Sequence, residues 1–330
     1  MITDATPSSA ALLGGDAPLV DVHAHFFFEG CGRADWDALN AGRFRGGERI
    51  GITVHIASIL GSWGRWSPTY FASPADTTRG NDAMRAIAEQ HPDRVRWYVA
   101  VNPNDTDHAL AQIDRCAAAG AIGVKLAAAR RADDPLLDPI ADRAEAGGMP
   151  ILHHIWQHRR RHWPSQDASD AIDLVRLAER HARVAFILAH IAGGGDYRHT
   201  FAAVRDVPNV YLDLSGSGVD RGMLDAAYAT VGARRLLWGA DITLCTGLAK
   251  LWALEVIGLT SDELADVRWR NAARIFPGLS GIGRLPGEAG RGESGIESRG
   301  SKDREAPATA RADGSRGRSD SRFPIPDSRR

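Results

Sequence analysis

The chain is poor in the features that would mark it as secreted, membrane-spanning or nucleic-acid-binding. Only three cysteines occur in 330 residues, Cys31, Cys116 and Cys245. They are too few and too scattered for a disulfide framework or a CxxC metal site. No apolar run approaches the length of a membrane span. At the N-terminus only Ala10 to Leu13 is continuously apolar, with no basic stretch before it, so neither a signal peptide nor an anchor is expected. Charge of one sign is also missing: 40 Lys and Arg stand against 41 Asp and Glu, a formal net charge of -1, and no basic stripe is interleaved with aromatics. That balance disfavours nucleic acid and anionic membranes as partners. What remains is a cytoplasmic protein acting on a small-molecule substrate, its oligomeric state open and a homo-oligomer included.

Eight short β-branched or apolar runs, each bounded by turn residues, recur about every 30 residues. They are LVDVHAHFF (19–27), ITVHIASIL (52–60), RVRWYVAVNP (94–103), AIGVKLAAA (121–129), MPILHHI (149–155), ARVAFILAHI (182–191), NVYLDLSGS (209–217) and RLLWGADIT (235–243). Helix-period segments lie between them, among them NDAMRAIAEQH (81–91), DHALAQIDRCAAAG (107–120), LLDPIADRAEAGG (136–148) and ASDAIDLVRLAERH (168–181). Such alternation calls for parallel strands with crossover helices, and eight units close into a TIM (β/α)8 barrel, an α/β fold. An open doubly wound sheet is the alternative, but no glycine-rich phosphate fingerprint follows the first run. The barrel is expected to be a single domain over 16–280, preceded by a flexible 1–15. From 281 to 330 the chain is rich in Gly, Ser, Arg, Asp and Glu, with few large apolar residues, which predicts a disordered low-complexity tail.

Within the first run, DVHAHFF (21–27) places two histidines two positions apart. Strict strand alternation would put Asp21, His23 and His25 on one face and Val20, Val22 and Ala24 on the other. Active sites of such barrels form at the C-terminal ends of the strands. The polar residues there are His23 and His25, Lys125, His153 and His154, His190, and Asp241. Imidazoles and a carboxylate are common ligands of a divalent ion, and His23, His25, His154 and Asp241 would supply four. One such ion, Zn2+ by preference, would lower the pKa of a bound water from about 15.7 towards roughly 7. Asp241 is then also a candidate acceptor of the water's proton, and His190 a candidate acid or base towards the substrate.

These residues are similar to those of a known family. VDVHAHF, GVKL, MPILHH, FILAHIAGGG, NVYLDLSGS, LLWGADIT and the late NAARIF together resemble the amidohydrolase-related metal-dependent hydrolases, in the branch that includes aminocarboxymuconate semialdehyde decarboxylase. The resemblance spans roughly Leu19 to Pro277. It implies a TIM barrel with one divalent metal, usually zinc, held by His23, His25, His154 and Asp241, and His190 as catalytic acid or base. His153 competes with His154 for the strand-five position. Ala240 replaces the family's usual serine, and Ile242-Thr243 stands where a proline is common. Lys125 lies where some distant relatives carry a carboxylated lysine bridging two metals.

The expected activity is hydrolysis of a C–N or C–O bond of amide or lactone type by a metal-activated water. Two alternatives stand beside it: non-oxidative decarboxylation of an unsaturated or aromatic acid on the same metal, and a barrel that only binds. His55, His91, His108, His181 and His199 read as ordinary core or surface histidines. The Arg159–Arg161 run, the Trp63, Trp66 and Trp156 side chains, the Gly193–Gly195 loop and Cys245 are peripheral features around the expected pocket.

Overall fold

The computed structural model describes residues 17–61, 72–155, 169–191, 196–216, 221–242 and 244–279. The expectations for 1–15, 281–330, the Arg159 run, Trp63, Trp66, Trp156 and the Gly193 loop lie outside the described residues, as does the side chain of Cys245.

Each of the eight apolar runs contains one strand. They are β1 (Val20–His25), β2 (Val54–Ser58), β3 (Val95–Val101), β4 (Gly123–Leu126), β5 (Ile151–His154), β6 (Phe186–Ala189), β7 (Val210–Asp213) and β8 (Leu236–Leu237). They pair in parallel in chain order. β8 returns to β1 through the Val22 amide bonded to the Trp238 carbonyl (3.1 Å), the Asp241 amide bonded to the His23 carbonyl (2.6 Å) and a parallel bridge between Ala24 and Asp241. One helix follows each strand: α1 (Trp36–Ile50), α2 (Pro74–Gln90), α3 (Thr106–Ala118), α4 (Asp138–Ala146), α5 (Ala171–Arg180), α6 (Tyr197–Val204), α7 (Arg221–Val231) and α8 (Leu244–Val256). The molecule is therefore a (β/α)8 barrel. Among the described residues no helix is long and apolar enough to cross a membrane.

Local chemistry fixes where the helices begin. α2 starts at Pro74, well before the periodic segment at Asn81, because the Ser73 side chain accepts the Asp76 amide and proline occupies the first turn, where its missing N–H costs nothing. At α5 the Asp170 and Asp173 side chains cap each other's backbone reciprocally.

Strand alternation sorts the apolar residues into two layers. Val124, Leu126, Ile151, Phe186, Leu188, Val210, Leu212 and Leu236 face the helices. Val20, Val22, Val54, Ile56, Tyr98, Leu152, Ile187, Ala189 and Leu237 fill the barrel interior. Beyond α8 the chain runs through α9 (Ser261–Ala265) and a π-turn (Asp266–Arg270) into α10 (Asn271–Ile275). That last segment packs Ala272, Phe276 and Leu279 against the interior layer, with the Phe276 and Tyr98 rings 5.7 Å apart.

β1 departs from the expected alternation. Its register against β2 advances by three residues, from Asp21 to Ala24, while β2 advances by two, from His55 to Ala57. The extra residue is a β-bulge, which lets two consecutive side chains take the same side. Val20 and Val22 point inward, and so do His23 and His25, while Ala24 joins the helix-facing layer. Asp21 does not share a face with the histidines. It lies outside the strand, paired with Arg43 of α1 (3.1 Å) and the His55 Nδ1 (3.0 Å).

Candidate active site

The interior side chains at the C-terminal ends of β1, β4, β5, β6, β7 and β8 converge. His23, His25, Lys125, His154, His190 and Asp213 are all buried, and Asp241 is partly so. At β5, alternation settles which histidine faces in: Ile151 is helix-facing and Leu152 interior, so His153 turns outward and His154 inward. The outward His153 donates its Nδ1–H to the His154 carbonyl (2.9 Å).

The tautomers of the two β1 histidines follow from what their Nδ1 atoms touch. His23 Nδ1 donates to the Asp213 carboxylate (2.6 Å). His25 Nδ1 faces both the Ser58 carbonyl and its hydroxyl (3.2 Å each); the carbonyl can only accept, so Nδ1 carries the proton. Burial lowers the pKa of both imidazoles, His25 to about 4, with Lys125 pressing His23 in the same direction, so both rings are neutral. Each therefore turns an Nε2 lone pair towards the other, and the two nitrogens are 3.1 Å apart. Asp241 Oδ1 lies 3.6 Å from His23 Nε2 and 3.4 Å from His25 Nε2. Three electron-pair donors this close repel one another unless a cation stands among them. A triangle with these sides has a circumradius of about 1.95 Å, close to the usual metal–ligand distance of about 2.1 Å. The donor set fits a divalent metal.

His154 lies outside that group, whose ligand atoms fall within 4.8 Å of one another. It meets the His190 ring edge-on, with centroids 4.5 Å apart. His190 stacks on His23 (5.3 Å) and points Nε2 at Asp241 Oδ2 (3.3 Å). His190 and Asp241 both adopt left-handed backbone, φ 67° and 57°, conformations non-glycine residues reach at a cost of about 1–3 kcal/mol. Burial opposes ionisation of Asp241, but the bond to His190 helps hold its carboxyl well below the usual range.

Several supporting groups carry no signature of their own in the sequence. Asp213, on β7, binds His23 Nδ1 and the Ser215 amide and hydroxyl. Burial would raise its pKa, yet the contacts to His23 and Ser215 keep it low. Lys250 of α8 donates to the carbonyls of Ser215 and Gly216, both at 2.6 Å. A Cβ at Gly239 would stand 2.3 Å from Asp213 Oδ1, so the residue opposite Asp213 has to be glycine. On the outer side, Asp21 Oδ1 accepts the amides of Ala240 (2.9 Å) and His23 (3.2 Å), while Arg43 spans from Asp21 to the carbonyls of Asp241 and Ile242. The readable signal was burial by pattern: an aspartate inside an apolar strand run needs a partner, as Asp21 and Asp213 both show. Lys125, fully buried, donates to His23 Nε2 (2.9 Å), and burial lowers its pKa to about 8 against the pull of Asp241 and Asp213.

Known proteins bear on this arrangement in three ways. No curated protein matches the sequence. The fold is shared with the 5-carboxyvanillate decarboxylase of Sphingomonas paucimobilis, at 18% identity and TM-score 0.59 over 79% of this chain and 99% of that one. It is shared equally with the 2,6-dihydroxybenzoate decarboxylase of Rhizobium (18%, TM-score 0.60, 78% and 98%). A third likeness is the dihydroxybenzoic acid decarboxylase of Polaromonas sp. JS666, solved with bound manganese and the inhibitor 2-nitroresorcinol (18%, TM-score 0.60, 78% and 96%). At such identity these likenesses establish the fold. The family model described as amidohydrolase matches residues 20–278. Because that match begins on the first strand and ends within the segment that plugs the barrel, the chain belongs to the amidohydrolase family.

Proposed function

We propose that the chain is a metal-dependent, non-oxidative decarboxylase of an unsaturated or aromatic carboxylic acid. The observation that carries this reading is the convergence of two imidazole lone pairs and a carboxylate oxygen, 3.1 to 3.6 Å apart, in a barrel of the same fold as decarboxylases. Hydrolysis, the activity first expected from the sequence, ranks second, since the solved structures described above are decarboxylases. His23, His25 and Asp241 would hold a single divalent cation, with His154 at its margin. Zinc suits the nitrogen and oxygen donors, and manganese is the ion bound in the Polaromonas enzyme. The cation would supply positive charge to hold an anionic substrate and to offset the charge that develops as the reaction proceeds.

The chain's own residues do the rest. Asp213 and the Ser58 carbonyl fix the directions of the two β1 imidazoles. Decarboxylation breaks the bond between the carboxylate carbon and its neighbour, releases CO2 and leaves an electron pair that must take up a proton. His190, 3.3 Å from Asp241 Oδ2, is the group placed to carry that proton, and His154 against its ring limits where it can swing. The test is a panel of 2-hydroxybenzoic and unsaturated carboxylic acids set against lactones and amides, with protein loaded with manganese or zinc. CO2 release from an acid is the expected result. Cleavage of a lactone or amide, with no CO2 from any acid, would overturn the proposal.

A further inference from the structure

Lys125 is the one cation whose side chain reaches the candidate ligands from inside the barrel among the described residues, and neither the fold nor the proton-carrying pair calls for it. Its Nζ is fully buried, and its one hydrogen-bond acceptor among the described residues is His23 Nε2, at 2.9 Å. That nitrogen is the lone pair a metal would take. Its nearest carboxylates, Asp213 and Asp241, act on it at longer range and make no ion pair with it within 4.0 Å. Both have other partners, Asp213 in His23 and Ser215, Asp241 in His190.

A dication on the Nε2 pair would take from Lys125 its one acceptor among the described residues and leave a buried nitrogen that can only donate. A group of negative charge lying against both Lys125 and the metal would replace that acceptor. Lys125 also lines a small cavity of about 10 Å³, room for one oxygen-sized group, whose other walls include Gly61, Ala72, Ala100 and Ala127 with the polar Thr77 and Asn102. We infer that Lys125 is the residue that anchors the substrate's anionic group, receiving one oxygen of a carboxylate whose other oxygen faces the metal. That this carboxylate belongs to the substrate rests on the decarboxylase reading; that the loaded site selects an anion does not.

The experiment measures equilibrium binding with the full-length chain. Benzoate and its neutral isostere benzamide are titrated calorimetrically into manganese-loaded wild type, Lys125→Met and Lys125→Gln. Wild type should bind benzoate at least about tenfold more tightly than benzamide, the scale of one charge-assisted bond. Both variants should lose that preference while keeping bound manganese and their affinity for benzamide. A measurement on wild type alone guards against poorly folded variants: benzoate should raise the melting temperature of the loaded protein and not of the metal-free protein, where Lys125 stays on His23. Equal benzoate affinity in wild type and variants would overturn the inference, as would stabilisation of the metal-free form to the same degree. A Lys125 mass raised by one CO2, with two manganese ions per chain, would also overturn it, because the anion would then be the lysine's own carbamate. Failure of the acid panel to release CO2 would leave benzoate binding through Lys125 untouched, so the two readings fail separately.

Discussion

Replacing Arg43 with methionine should damage the metal site from outside the barrel. Arg43 is 6% exposed and touches no candidate ligand side chain. It pairs with the fully buried Asp21 at 3.1 Å and donates to the carbonyls of Asp241 and Ile242. Methionine fills similar volume but leaves the buried Asp21 side chain held by His55 and two amides without its cation. Breaking a buried pair from one side costs about 3–5 kcal/mol. For a folded body of this size that corresponds to a fall in Tm of roughly 6–20 °C. The second consequence is local. Asp241 holds φ 57°, and the Arg43 bonds to its carbonyl and the next help keep it there. Without them its carboxylate should wander, and metal affinity should drop about 10–100-fold, as when supporting groups of metal ligands are removed. Thermal unfolding of metal-free protein and competition for Mn2+ against a chelator read the two effects. Asp21→Asn should behave similarly, and the double variant should lose less than the sum of the two, because both remove one interaction. If Arg43→Met melted within about 2 °C of wild type and bound manganese within about twofold, the bracket would play no part in holding Asp241.

Three further outcomes follow from the same geometry. His23→Ala should purify without metal, whereas His190→Ala should retain it and lose turnover; equal metal content in the two by elemental analysis would dissolve the division of roles. Gly239→Ala places a Cβ 2.3 Å from Asp213 Oδ1 and 3.0 Å from the His23 Cβ, so it should weaken metal binding by pressing on both, and an affinity unchanged from wild type would show that the pair has room to move. The outward His153 is held neutral by burial, its pKa lowered to about 4 from 6.5. The unfolded chain then binds the extra proton first, so this stability is present above pH 6.5 and is lost as pH falls towards 4, by about 1.4 kcal/mol per unit across that window. Denaturant melts at stepped pH should show a shallower slope in His153→Leu than in wild type, and identical slopes would place that proton elsewhere.

The barrel was legible because each strand is a short run of β-branched and aliphatic residues closed by turn residues, and because the intervals leave room for one crossover helix. The convergence of His23, His25, His190 and Asp241 was legible for the same reason, since every strand of such a barrel ends at the same rim. The supporting shell was harder to read. Asp213 sits in NVYLDLSGS as one acidic residue in a strand, and its role depends on His23 lying 190 positions earlier in the chain. Arg43 looks like any helix arginine until its partners, Asp21 of β1 and the Asp241 carbonyl beyond β8, reach it. Pairings at such separation leave no local pattern, only the rule that a buried charge must have a partner.

The bulge in β1 is where strict pattern reasoning breaks and where the function depends on the break. Val20 and Val22 are needed inside, packed with Leu152, Ile187 and Leu237, since a barrel without an apolar plug would leave its strand interior wet. His23 and His25 are needed inside as well, one step later. A strand of strict period two cannot place residues 20, 22, 23 and 25 on one side. A slip of one residue can, and it also sends Asp21 outward to meet Arg43 while its carboxylate still reaches the amides of His23 and Ala240. The acidic residue that begins DVHAH thus works behind the histidines rather than beside them. Removing the slip by a deletion would return both imidazoles to the helix side, where Ala24 and Phe26 now pack, and no substitution elsewhere could restore two ligands at 3.1 Å.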